Sequence, residues 1–357
     1  MIYHKKICID CRMAHMSGIG TYIQHVIPRC MAALPEISFN IIGNSSLPFD
    51  LPSNSLLTRA SSHIYSLYEQ IELSYIVRET QGLWVPHYVI PLFSRIPIVA
   101  TVHDVAHLAL PEIFGITKKN YAKWMFRFLK KRTQSILFNS SFTQQEFNRL
   151  VGEPDCPTFV TPLGVDTFWF EETTKERPFN FPYFLAVGNL KPHKNIATLC
   201  RAFSGIASQC PHHLVLAGKK EGFRTGLDGT ALENLVPGRI HCTGALDAHS
   251  LRRLVTNADC LVFPSLYEGF GLPPLEGLAC GTPVLASDIP PVRETCADAV
   301  NYFNPHSESS LREGLLRCAA PSTDPAEREA RRRRAALFSW DKTATLTVSV
   351  LKQAFRL

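Results

Sequence analysis

Two carboxylates in one glycine- and proline-rich segment, Glu268 and Glu276 within YEGFGLPPLEG (267–277), are the side chains of this chain best spaced to do chemistry together. Glu268 lies among glycines, Pro273 and Pro274 mark a helix start, and Glu276 falls in the first turn, so both can face one ligand from opposite ends of the loop. An ionised carboxylate accepts but cannot donate, which suits paired hydroxyls such as the vicinal diols of a sugar or a ribose. The plainer alternative is helix capping by Glu276 beside a surface Glu268. A second glycine loop, Ser17-Gly18-Ile19-Gly20-Thr21, opens a run whose apolar residues Ile19, Ile23, Val26, Ile27, Cys30, Met31 and Leu34 recur at helical spacing. Bare backbone at a helix N-terminus can approach a phosphate and donate N–H groups to it. Gly18 and Gly20 lack the third glycine of the dinucleotide fingerprint, and a tight turn accounts for them equally well. His103 and His107 in HDVAH are four residues apart, as two metal ligands on a helix face would be, but no third ligand is evident. His212 and His213, preceded by Pro211, read as exposed loop residues.

These residues need elements to hold them. Short apolar or β-branched runs bounded by Gly, Pro, Ser or Asn alternate with longer helical patterns, the signature of parallel sheets. Strand candidates include residues 5–10, 98–103, 135–139 and 158–161 in the first half, and 183–187, 214–217, 260–263 and 283–286 in the second. The segment EETTKERPFNFP (171–182) mixes charge with proline and lacks periodicity, as a linker does. The chain therefore reads as α/β, with two doubly wound domains facing across a cleft lined by the carboxyl ends of both sheets. The chemistry-bearing residues fall at such strand ends: Gly18 and Gly20 after the first strand, His103 and Asp104 after IVATV, Asn189 after YFLAVG, Pro264 and Ser265 after CLVF.

Composition fits two ordinary cores: 357 residues, 45% of them hydrophobic and 19% charged. Mean hydropathy near zero and the lack of a long apolar run argue against disorder and membrane spanning. The N-terminus MIYHKKICIDCRM has no apolar stretch of signal-peptide length, which places the chain in the cytoplasm. Its eleven cysteines, an odd number spread from Cys8 to Cys318, then read as reduced thiols, with the lone CxxC of Cys8 and Cys11 as core side chains. Net charge is +6, and residues 118–132 hold seven basic side chains without an acid, so that the remaining 30 basic residues are balanced by 31 acidic ones. Tyr121, Trp124, Met125, Phe128 and Leu129 share that segment at helical spacing, as in an amphipathic helix lying on anionic lipid or in a core helix with a solvated face. The run Arg331–Arg334 reads as solvated surface. No nucleic-acid motif accompanies either patch, so nucleic acid is not an expected partner.

The run VFPSLYEGFGLPPLEGLACGTPVLASDIPPVRE closely resembles the donor-binding signature of the retaining nucleotide-sugar glycosyltransferases of glycosyltransferase family 4. AVGNLKPHKN, VTPLGVD, TVHDVAHL and FSWDKTA are similar to that family too, so the resemblance covers most of residues 95–345 and, less specifically, 5–30. It implies the GT-B fold: an N-terminal acceptor-binding Rossmann-like domain (1–172), a linker (173–182), a nucleotide-sugar-binding domain (183–340) and a final helix (341–357) crossing back to the first domain. Carried over position by position, Glu276 binds the donor ribose. Glu268 contacts the donor sugar hydroxyls, aided by backbone N–H groups of Gly269, Phe270, Gly271 and Leu272. Lys194 neutralises the diphosphate, Gly18 and Gly20 lie under it, Gly244 lines the donor site, and His103 sits near the transferred sugar. Where most members carry Arg this chain has Asn189, leaving Lys191, His193 or Lys219 to replace the missing cation in part.

The implied reaction is metal-independent, needs no cofactor and retains anomeric configuration, and the chain contains no Asp-x-Asp. LPEIFG after HDVAH and the PHKN segment look most like mannosyl-type bacterial polysaccharide transferases, pointing to GDP-mannose as donor, with UDP-glucose, UDP-GlcNAc and dTDP-rhamnose open. The acceptor class is a glycan or lipid-linked glycan, at the inner face of the cytoplasmic membrane if 118–132 meets lipid. Competing readings are a non-catalytic nucleotide-sugar-binding partner, motivated by Asn189, a GT-B-fold epimerase or phosphorylase, and a zinc hydrolase built on HDVAH.

Overall fold

The computed structural model describes residues 5–43, 46–172, 177–189, 191–218, 229–320 and 324–357; Lys219 and residues 173–176 of the expected linker lie outside them. The chain forms two compact units, Met1–Gly164 with Ser339–Leu357 and Val165–Phe338. The division thus falls at Gly164/Val165, upstream of the charged, proline-containing segment expected to separate the domains. Residues 165–171 belong to the second unit because they pack into it. Val165 N–H donates to the Phe338 carbonyl at 3.1 Å, Trp169 is buried in a short 3-10 turn (Thr167–Phe170), and Arg252 pairs with Glu171 at 2.5 Å.

In the first unit, β1 (Lys6–Asp10), β2 (Ser38–Gly43), β3 (Leu56–Arg59), β4 (Gly82–Val85), β5 (Ile98–Val102), β6 (Ser135–Phe138) and β7 (Thr158–Val160) form a parallel sheet of order β3-β2-β1-β4-β5-β6-β7. Its core includes Tyr22, Trp84, Phe126, Phe138 and Phe147, all fully buried. The helix Trp340–Phe355 completes this unit against the helix Ile19–Ala32; Ser339 caps it by accepting from Lys342 N, and Trp340 stacks on His25 at 5.0 Å.

In the second unit, β8 (Tyr183–Val187), β9 (His213–Ala217), β10 (Ile240–Gly244), β11 (Cys260–Phe263), β12 (Val284–Ser287) and β13 (Asn301–Phe303) form a parallel sheet of order β10-β9-β8-β11-β12-β13. Phe184, Leu199, Phe203, Leu214, Leu311 and Leu315 fill one side of it. Both sheets are wound outward from the middle, and the strand order reverses between β1 and β4 in one and between β8 and β11 in the other. Ligands of such sheets bind outside the carboxyl ends of the strands at the reversal.

Three local expectations are corrected. His212 is buried, not in an exposed loop: its ring stacks on Phe184 at 4.6 Å, while His213 opens β9 and stacks on Phe181 at 3.8 Å. The arginine run is not simply solvated. Arg331 donates to the Gly281 carbonyl, Arg332 to those of Ala279 and Phe170, and Arg334 to those of Glu294 and Thr295, placing cations where two helix C-termini gather partial negative charge. His103 closes a strand rather than sharing a helix face with His107, which lies in the short helix Ala106–Ala109. All eleven cysteines are free, and burial pushes the Cys8 and Cys11 thiols up, away from the reactive thiolate. Among the described residues no group of three or more His, Cys, Asp or Glu is placed to hold a metal ion, and no helix is long and apolar enough to cross a membrane.

Candidate active site

The reversal point of the second sheet carries the charged residues singled out in the sequence. After β8 the chain runs through Gly188 and Asn189 into the 3-10 turn Pro192–Lys194, and after β11 it enters the loop that holds Glu268. Lys194 Nζ meets Glu268 Oε1 at 2.6 Å, with both side chains partly open to solvent, and lies 5.7 Å above the Phe263 ring at the end of β11. The two loops are tied by Leu266 N–H donating to the His193 carbonyl at 2.8 Å. Asn195, left-handed at φ 56°, turns the chain from the 3-10 turn into the helix Ile196–Ser204, and its Nδ2 donates to the Pro305 carbonyl at 3.2 Å. Lys191 is exposed at the start of that turn.

Glu276 lies on the helix Leu272–Ala279, beyond the loop from Glu268. Gly271 begins that helix at φ 98°, a left-handed backbone that favours glycine. Pro273 and Pro274 carry no N–H, so of the first three residues of this helix only Leu272 has an amide to offer. The Phe270 ring is buried against Phe338 at 5.8 Å, leaving Gly269 and Phe270 only backbone to offer a ligand. Glu276 is partly covered, and desolvation pushes its carboxyl up from 4.5 to about 7. A carboxyl raised by desolvation, eight positions along the chain from one that pairs with a lysine, is the electrostatic pattern of a ligand site.

Gly244, expected to line the donor site, ends β10 at φ 75° and accepts from Gly218 N–H at 3.1 Å. Two glycines not singled out in the sequence accompany it. Gly188 N–H donates to the Ala217 carbonyl, and a Cβ on Gly218 would stand 2.0 Å from the Gly188 carbonyl oxygen. Three adjacent strands therefore end in glycine or are followed at once by one, and their exits run backbone against backbone. The legible signal was a glycine closing each apolar run, in YFLAVG and LVLAG.

The remaining expected residues belong to the first unit. Gly18 begins the helix Ile19–Ala32 at φ 77°, and a Cβ on Gly20 would stand 2.7 Å from the Ala14 carbonyl, so both positions answer to the turn as well as to any phosphate. His103 Nε2 lies 3.1 Å from the Pro86 carbonyl, and its ring packs edge-on against Tyr22 at 4.8 Å. A carbonyl only accepts, so Nε2 carries the proton and Nδ1 the lone pair. Burial lowers the ring to about 4, keeping His103 neutral at pH 7. Sequence reasoning overlooked a buried charged cluster at this sheet's reversal point. Arg12 grips Asp10 through Nε and Nη2 at 2.9 and 2.6 Å and reaches Glu69 at 2.6 Å, while His87 meets Asp10 at 3.1 Å. Burial alone would raise the Asp10 carboxyl, but the Arg12 guanidinium and His87 hold it well below the usual range. Asp10 closes KICID and Arg12 follows in a loop, where an arginine normally reads as solvated.

Residues 169–335 match the family model described as Glycosyl transferases group 1, and residues 28–168 the one described as Glycosyltransferase Family 4. The chain is similar to the O-antigen chain mannosyltransferase RfbU of Salmonella typhimurium, 26% identical over 277 residues that cover 77% of this chain and 74% of that one. It is similar to O-antigen chain mannosyltransferase B of Escherichia coli, 26% identical over an aligned length of 380, covering 94% and 96%. The solved sucrose-phosphate synthase of Thermosynechococcus elongatus shares the fold with a TM-score of 0.78 at 18% identity, over 99% of both chains.

Proposed function

This chain belongs to the GT4-type glycosyltransferases and has their GT-B fold, and from that premise we propose that it is a retaining mannosyltransferase using GDP-mannose. The acceptor is a hydroxyl of a glycan or lipid-linked glycan in bacterial-type surface polysaccharide synthesis. Mannose is favoured by the two O-antigen mannosyltransferase relatives. The observation that carries the donor site is the Lys194–Glu268 pair at the strand-order reversal, on one loop system with the raised carboxyl of Glu276.

Glycosyl transfer is hard because the anomeric carbon turns cationic while a nucleoside diphosphate leaves with added negative charge. Lys194 and the amides of Gly269 to Leu272 offset that charge most where it develops, in the transition state. The diphosphate draws Lys194 from Glu268, freeing the carboxylate to accept from donor sugar hydroxyls. Glu276 accepts from the ribose diol, and Gly244 lets the nucleotide approach the strand ends. Gly18 and Gly20 offer amides to phosphate, and Asn189 adds a neutral polar contact. His103, neutral and with its lone pair on Nδ1, accepts from a sugar hydroxyl instead of serving as general base. A leaving phosphate oxygen takes the acceptor proton in a front-face attack that preserves configuration. No cofactor or divalent cation is required in this scheme, in keeping with the lack of Asp-x-Asp.

Attachment to an anionic membrane surface is part of the proposal, supported by two helices. Ile116–Arg132 buries Ala122, Met125, Phe126 and Leu129 and leaves Trp124 exposed between Lys123 and Arg127. Leu67–Ile76 is inverted: Glu69 and Gln70 are buried, while Leu67, Tyr68, Ile71 and Tyr75 face outward. An outward apolar stripe beside basic side chains suits the bilayer interface.

The test is incubation with GDP-mannose, UDP-glucose, UDP-GlcNAc and dTDP-rhamnose over a glycolipid extract, with NMR of the product's anomeric proton. Transfer of mannose with retained α configuration is expected. A β product refutes retention, transfer from another donor refutes the choice of GDP-mannose, and nucleotide binding without any transfer identifies a non-catalytic partner.

A further inference from the structure

We propose that Tyr65, with Tyr88 and Tyr121, forms the platform on which a pyranose ring of the acceptor glycan stacks; this rests on the transferase reading and extends it to the acceptor side. Tyr65 precedes the inverted helix Leu67–Ile76 and holds φ 72°, a left-handed backbone that is costly for any residue with a Cβ. A buried charge relay keeps it there. Tyr65 N–H donates to Glu69 Oε2 at 2.7 Å, Glu69 Oε1 accepts from Arg12 at 2.6 Å, and Arg12 clasps Asp10. Arg12 and Glu69 are sealed from solvent, and buried ions of this kind are expensive to assemble.

The relay ends on a ring that is not part of the core, since Tyr65 is 46% exposed. Strain and buried charge that fix the direction of an exposed aromatic side chain point to contact with a ligand. The Tyr65 ring stands 6.2 Å from that of Tyr88 and 5.8 Å, nearly perpendicular, from that of Tyr121. Tyr88 leans in turn on Phe126 at 4.6 Å and on His107 at 6.1 Å. Arg12 follows β1 and Tyr88 follows β4, so the group sits where the strand order of the first sheet reverses.

The chemistry of the group selects a sugar. Pyranose C–H faces pack on aromatic rings, and the equatorial hydroxyls meet the phenol oxygens at their edges. Desolvation raises the Tyr65 and Tyr88 phenols, so both keep their protons and can donate to a sugar hydroxyl as well as accept from one. The outward stripe of Leu67, Tyr68, Ile71 and Tyr75 is the face suited to a bilayer, whereas the three clustered phenols of Tyr65, Tyr88 and Tyr121 offer ring faces and hydroxyl partners of the kind a sugar uses.

The experiment is saturation-transfer NMR with the methyl α-glycosides of mannose, glucose, galactose, N-acetylglucosamine and rhamnose as probes, on wild type, Tyr65→Ala and Tyr65→Gly. At least one glycoside should be saturated by wild type, and the effect should fall at least about fivefold in both variants, the scale of one lost stacking contact. Tyr65→Gly should melt no lower than wild type, because glycine accepts the backbone angle, and both variants should bind GDP as wild type does. Equal saturation in wild type and Tyr65→Ala, or none by wild type, overturns the platform. Loss of saturation in variants of a protein that binds no nucleotide supports the platform and removes the donor reading instead.

Discussion

Glu276 provides the sharpest test of the donor site, because its carboxyl sits near 7 and not at its ordinary 4.5. If the ribose diol donates to the carboxylate, only the ionised form binds, and donor binding must expel a proton wherever the free protein holds one. The apparent Kd for GDP-mannose should therefore rise about tenfold from pH 8 to pH 6 and close to tenfold more by pH 5. The nucleotide sugar does not confound this, since its diphosphate lacks the secondary ionisation of a free nucleoside diphosphate. Stability moves the opposite way. A carboxyl whose folded value is raised favours the fold while protonated, so its contribution is full below 4.5, declines as pH rises toward 7 and is flat above. The cost at pH 8 is at most about 3 kcal/mol, reduced by the solvent that still reaches this partly covered side chain. Glu276→Gln should accordingly melt higher than wild type at pH 8, match it at pH 4.5, and bind GDP-mannose weakly without pH dependence between 5.5 and 8. Calorimetric titration at pH 7 in buffers of different ionisation enthalpy should show about half a proton released per donor bound. A flat affinity in wild type, or the same slope surviving in Glu276→Gln, would falsify the assignment.

Other outcomes follow from the same geometry. Lys194→Ala should lower kcat by two to three orders of magnitude, about 2.7–4 kcal/mol of lost leaving-group stabilisation, measured by GDP release; near-normal turnover removes Lys194 from the mechanism. Arg12→Met leaves Asp10 and Glu69 buried without their cation, so denaturant unfolding should show a loss of about 3–5 kcal/mol, and a loss under 1 kcal/mol would mean that the cluster is solvated in solution. Sedimentation with anionic vesicles should weaken with salt and with Lys123→Glu, and weaken at every salt concentration with the pair Leu67→Ser and Ile71→Ser. Binding that ignores both changes would place any lipid contact elsewhere.

How much of this was readable beforehand depended on range along the chain. Strands such as Ile98–Val102 and Cys260–Phe263 were legible because both faces are buried and the run is apolar throughout, whereas Leu56–Arg59 at a sheet edge and the three-residue Asn301–Phe303 carry too little pattern to stand out. Glu268 and Glu276 were legible as a local spacing. That Glu268 meets Lys194, 74 positions away, was not, because it follows from β11 rather than β9 or β10 lying beside β8 on that side, a choice of strand order that periodicity does not encode. Tyr65 was hidden for a different reason, since a positive φ is foretold by glycine or asparagine and here is imposed on tyrosine by a carboxylate four residues on.

The two sheets solve the same problem with opposite exposure. In each, charged or titratable side chains bridge the two strands where the order reverses: Asp10 with His87 at 3.1 Å in the first, Lys194 with Glu268 at 2.6 Å in the second. The first pair is sealed, at 1% and 0% exposure, and is locked further by Arg12, so separating it would strand an ion in a medium that cannot solvate it. The second is open, at 21% and 14%, where water lowers the cost of parting the ions and an incoming diphosphate can take the lysine while sugar hydroxyls take the carboxylate. One reversal point thereby stays fixed, while the other has the exposure that an exchange of partners in the proposed donor site requires. That difference is why Arg12 should be felt in stability and Lys194 in turnover.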